Sequence, residues 1–152
     1  MSLESIFVLL KNFLETKPAC VQAISLLSPE AEIRIVVDDK LECRLVNKEG
    51  RPTLTREPAP LADVEFRVDL EALRVLEGAD GENMAALGID IVKEIIAGHI
   101  KVCICRGVGR IFKGGYWKII QAAGPDFTIF LAQYGLKSFK KWIDLFKALR
   151  RT

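Results

Sequence analysis

Polar and apolar residues alternate without a break from Asp63 to Leu70. Val64, Phe66, Val68 and Leu70 point one way while Asp63, Glu65, Arg67 and Asp69 point the other, the period of a half-buried strand. Ile100, Val102 and Ile104 repeat that pattern. Between the two strands Leu73, Leu76, Met84, Leu87, Ile91, Val92, Ile95 and Ile96 follow helical spacing, and they supply more apolar surface than cover for one sheet face requires. The surplus points to a pocket for something apolar. Upstream, Leu3, Ile6, Phe7, Leu10, Phe13 and Leu14 predict an amphipathic helix over 2–16. Pro18 opens a second short helix carrying Val21, Ile24 and Leu27, and Ser28-Pro29 stops it. Ile33, Ile35 and Val37 then alternate with Glu32 and Arg34, turn at Asp38-Asp39, and pair as a hairpin with Leu41, Cys43 and Leu45. A second turn at 47–50 leads to a short strand at 53–55 that suits an edge, since Pro52 and Pro58 flank it.

The order of elements is helix, three-stranded meander, strand, helical insertion, strand and more helix. Grouping of this kind, rather than strict alternation of strand and helix, predicts an α+β fold with a mostly antiparallel sheet covered by helices. Past Gly107, Gly114-Gly115 interrupts a helical pattern, Gly124-Pro125 ends it, and Ser138 caps a last helix running to about Leu149.

Length and composition narrow the class. A chain of 152 residues suits one domain, able to bury roughly 70% of its unfolded surface. Half of the residues are hydrophobic and 28% charged, yet no run approaches the ~18 apolar residues of a membrane span. Glu4 and the amphipathic start are unlike a signal peptide. Cys20, Cys43, Cys103 and Cys105 match neither a disulfide framework nor a zinc site, so reduced thiols and a cytoplasmic location are expected. A net charge of +2 is too small to make nucleic acid a partner.

Chemistry is sparse. His99 is the single histidine, no nucleophile elbow of the G-x-S-x-G type exists, and the position of His99 just past Gly98 suits helix capping. Glu94 with His99 is the one acid and base pair worth naming. No H-x-x-x-H or C-x-x-C spacing offers a metal site. Gly107-Val108-Gly109 begins like a dinucleotide fingerprint, but Phe112 stands where the third glycine belongs. No enzyme, cofactor or metal is expected.

Three segments together resemble a family. Leu61-Ala62-Asp63-Val64, then Leu70-Glu71-Ala72-Leu73 with Leu76-Glu77-Gly78, then Ala97-Gly98-His99-Ile100-Lys101-Val102 are similar to the sterol carrier protein 2 (SCP2) lipid-binding domain. The likeness covers about 30–106. It makes 2–28 a helical cover and 107–152 a helical extension longer than the closing helix of that family, all within a single domain 1–152. The resemblance implies a five-stranded sheet packed by helices around a hydrophobic tunnel for a fatty acyl chain, sterol or phospholipid, with no chemistry performed on it. Phe66, Val68, Leu73, Leu76, Met84, Leu87, Ile91, Ile95 and Val102 are the expected lining residues, Met84 adapting to variable ligand shape.

The tail carries a second signal. Between 137 and 151 there are six basic residues and one acid, and Phe139, Trp142, Ile143, Phe146 and Leu149 share one helical face. Lys140, Lys141, Trp142, Lys147 and Arg150 are the expected contacts with a membrane or partner. A competing reading keeps the same fold with a filled core, as an interaction or regulatory domain that works through this basic helix.

Overall fold

The computed structural model describes residues 1–79 and 82–133. Helix α1 (Leu3–Thr16) starts where the Ser2 hydroxyl accepts from the Ser5 N–H, and it buries Ile6, Leu10 and Phe13 along one stripe. It ends at Lys17, held extended by the proline that follows. Pro18 then opens α2 (Pro18–Ser25), which buries Ala19, Cys20 and Ile24.

Five strands follow: β1 (Glu32–Val37), β2 (Leu41–Lys48), β3 (Arg51–Thr55), β4 (Val64–Val68) and β5 (Ile100–Ile104). The β1–β2 turn needs left-handed backbone, which Asp38 and Asp39 supply at φ 52 and 55° while the Lys40 N–H closes onto the Val37 carbonyl at 3.0 Å. Pro52, expected as a boundary, lies inside β3, where an edge strand tolerates a missing donor.

The sheet order is β3-β2-β1-β4-β5. Three of its pairings are antiparallel, but β1 and β4 run parallel with Ile33, Ile35 and Val37 beside Val64, Phe66 and Val68. The architecture is α+β with a mixed sheet. One face presents rows such as Cys43, Ile35, Phe66 and Val102 to the helices. The other carries the alternating charges: Arg34 pairs with Glu42 at 3.1 Å and Glu65 at 3.2 Å, and Arg67 pairs with Asp39 at 2.6 Å.

Between β4 and β5 lie α3 (Leu70–Gly78) and α4 (Met84–Ala97). The strand alternation carries on to Leu70 in the sequence, but the chain turns helical there, with the Asp38 carboxylate accepting from the Leu70 N–H at 2.9 Å. Asn83 caps α4 by accepting from the Ala85 and Ala86 N–H groups. Gly98 closes it at φ 86°, with the His99 N–H on the Glu94 carbonyl at 2.9 Å. Past β5 come α5 (Val108–Lys113), α6 (Tyr116–Ala123) and α7 (Pro125–Ala132). Gly124-Pro125 therefore starts a helix as well as ending one. The helix expected from Ser138 lies outside the described residues.

Candidate functional site

The covered face of the sheet is unevenly filled. Over β1, Ile33, Ile35 and Val37 are fully buried, whereas Phe66 and Val68 on the same face of the neighbouring β4 are only partly so. A cavity of about 220 Å³ occupies the gap. Leu10, Phe13 and Leu14 of α1 and Cys20, Ala23 and Ile24 of α2 form one side of it. Ile33, Ile35, Leu45, Phe66, Val68 and Ile100 form its floor on the sheet, and Leu73, Leu76, Leu87, Ile91 and Ile119 complete it from α3, α4 and α6. Among the described residues the Cys20 thiol is the one titratable group on this wall. Burial pushes it up to about 12, against an opposing pull from Lys17, so it stays neutral and behaves as an apolar group.

A polar cluster fastens the helices past β5 to the sheet. Asp63, fully buried just before β4, accepts from the Glu32 N–H at 3.1 Å, from Arg110 Nε at 2.9 Å and from the Tyr116 hydroxyl at 3.1 Å. Arg110 also donates to the Glu30 carbonyl at 3.1 Å. Burial, and then the neighbouring Asp63 carboxylate, hold the Tyr116 phenol far above its ordinary value, so it remains a donor. The carboxylate is thus a satisfied buried charge rather than an orphan.

His99 lies elsewhere. Its Nδ1 sits 2.7 Å from Glu94 Oε2 at the exposed end of α4, and neither residue reaches the cavity wall.

No family model matches the chain, and no curated protein matches it. The fold is similar to that of a solved structure described as UbiJ-SCP2 ubiquinone synthesis protein. The two share 21% identity over 80% of this chain and 95% of that one, with a TM-score of 0.45.

Of the nine residues expected to line a pocket, Phe66, Val68, Leu73, Leu76, Leu87 and Ile91 stand on the cavity wall. Met84, Ile95 and Val102 do not; they are partly buried and pack on the main core. Met84 opens α4 and Ile95 lies one turn beyond Ile91, so the helix carries both past the ends of the gap. Val102, on the edge strand, packs in a cluster with Ile111 and Tyr116. Lys140, Lys141, Trp142, Lys147 and Arg150 lie outside the described residues.

The α1 and α2 wall residues, read from the sequence only as sheet cover, carry a visible signal: Leu10, Phe13 and Leu14, then Cys20, Ala23 and Ile24, each fall at i, i+3, i+4. Ile119 and the Asp63 cluster have none, because Arg110 and Tyr116 are 47 and 53 residues from the carboxylate they meet.

Proposed function

We propose that this protein is a non-catalytic, cytoplasmic lipid-binding module that keeps the apolar part of a fatty acyl chain, sterol or phospholipid out of water. The observation that carries this reading is the 220 Å³ cavity walled by apolar side chains. An engineered cavity of about 150 Å³ with such walls stays dry and takes up benzene. The present one therefore has room for a longer hydrocarbon segment. Among the described residues its walls offer a ligand head group no side-chain hydrogen-bonding partner beyond one neutral thiol. A polar head stays at the mouth while the chain goes in, because burying an unpaired hydroxyl or carboxylate costs several times what a buried methylene returns.

A binding role is supported by the apolar side chains that the described residues bring to this wall. The four free cysteines support a reducing compartment. Among the described residues no helix is long and apolar enough to cross a membrane.

Native mass spectrometry of the purified protein, followed by organic extraction of any added mass, tests the proposal. A stoichiometric adduct that proves to be a lipid is the expected result. A bare chain mass that stays bare after incubation with liposomes overturns it and leaves the interaction-domain reading.

A further inference from the structure

The cavity wall is apolar, yet a cation is built into one corner of it. Lys17 joins α1 to α2: it ends the first helix and precedes Pro18, where the second begins. Three residues back lies Leu14 and three residues on lies Cys20, and both stand on the wall. The Lys17 ammonium donates to the Ala79 carbonyl at 2.7 Å, and Ala79 follows Leu76, another wall residue, by three positions. The half-buried side chain thus spans from the α1–α2 elbow to the end of α3, where three elements of the wall meet. Its charge is felt on the wall itself, as the pull that opposes the effect of burial on the Cys20 thiol.

That charge is not neutralised. An ammonium carries three N–H donors; the Ala79 carbonyl takes one of them, and among the described residues no carboxylate pairs with Lys17. The other cations of the wall helices are placed differently. Lys11 pairs with Glu15 at 2.6 Å and Arg74 with Glu71 at 3.5 Å, while Lys93 and Lys118 are exposed. A cation with donors to spare, set beside an apolar space, suits a ligand that carries a negative charge at one end and hydrocarbon behind it. We propose that Lys17 anchors the head group of the ligand, so that the cavity selects an amphiphile with an anionic head, a fatty acid carboxylate rather than a sterol hydroxyl. The head rests at the elbow on Lys17, and the chain runs inward past Leu14 and Cys20 over the sheet. The proposal rests on the reading of the cavity as a ligand site and names the class of ligand that the site takes.

Decanoate, decanol and decyltrimethylammonium share one chain and differ in the charge of the head. Displacement of the neutral fluorescent probe N-phenyl-1-naphthylamine from the full chain at neutral pH gives the affinity of each. Lys17→Met keeps an aliphatic stem and removes the charge. It should weaken decanoate about tenfold, strengthen decyltrimethylammonium, and leave decanol within about twofold of wild type. Lys17→Arg should bring decanoate back towards wild type. An equal change for all three ligands makes Lys17 a structural clamp on α3 and overturns the anchor, and so does a decanoate affinity that Lys17→Met leaves unmoved. A probe that binds but yields to decanol as readily in the presence of the charge as decanoate does in its absence, with no difference between the variants, sinks the anchor and spares the cavity. A probe that wild-type protein does not bind, with no binding of the three ligands by calorimetry, removes the ligand site and the anchor with it. Should Lys17→Met fail to fold, wild-type protein decides alone: added salt should lower the affinity for decanoate relative to decanol, and a ratio that salt leaves unchanged overturns the proposal.

Discussion

Cys20 lies on the cavity wall with its thiol pushed from an ordinary 9.0 to about 12 by burial. The sign of the consequence follows from proton counting. Below pH 9 the folded and unfolded chains both keep the proton, and the stabilisation is fully present. Between pH 9 and about 12 the unfolded chain gives up a proton that the folded one retains, so stability falls, by at most ~1.4 kcal/mol per pH unit. Cys43, pushed up to about 11 by burial, acts in the same direction. Urea unfolding under reducing conditions should therefore show Cys20→Ala losing about 2 kcal/mol less than wild type between pH 8 and 10.5. Equal losses would mean that water reaches the thiol. At this scale the sequence marks Cys20 as apolar by its helical spacing but is silent on Asp63. A carboxylate in a strand that alternates charge and grease reads as one more exposed position, and only the return of α5 and α6 buries it.

Element boundaries were more legible than element partners. Period-2 and period-3.6 patterns locate the five strands described and the helices up to α4, because the inner face of each repeats at its own period in the sequence. Strand pairing is another matter: the parallel contact of β1 with β4 joins segments about thirty residues apart, and nothing in either strand specifies its neighbour. Packing of α7 is equally hidden. Gly88 in the middle of α4 looks like a weak helix residue, yet a Cβ there would stand 2.8 Å from the Phe127 ring, which is buried in a cluster with Ala85 and Leu131. Alanine normally favours a helix interior by about 1 kcal/mol over glycine, while overfilling a packed contact costs about 1–3 kcal/mol. The contact wins here because the obstacle is a buried ring rather than the end of a flexible chain. Gly88→Ala should accordingly lower the urea midpoint in the wild-type background and raise it in a Phe127→Leu background. The same sign in both would show that α7 does not seat on α4 in solution.

At the scale of the whole molecule the question is whether the gap over β4 is a void or merely loose packing. Apolar stripes at helical spacing predict a core, and a filled core and a lined cavity leave identical traces in a sequence. They differ only in how far apart the stripes are held. Here α1, α2, α3, α4 and α6 and the sheet together line a gap of about 220 Å³, and six of the nine expected wall residues stand on it. Ala23 and Ala19 lie on the same helix and make the distinction measurable, since Ala23 faces the gap while Ala19 is fully buried and off the wall. Three extra carbons directed into empty space gain roughly 0.8 kcal/mol each, so Ala23→Leu should stabilise the free protein by about 2 kcal/mol. The same substitution at Ala19 forces atoms into packed surroundings and should cost about 1–3 kcal/mol. If the gap is also the ligand site, Ala23→Leu loses affinity for N-phenyl-1-naphthylamine at least tenfold, because the added side chain occupies the space that the probe needs. Stabilisation at position 23 without loss of binding would place the ligand elsewhere, and destabilisation at both positions would mean that the helices close onto the sheet and leave no cavity to fill.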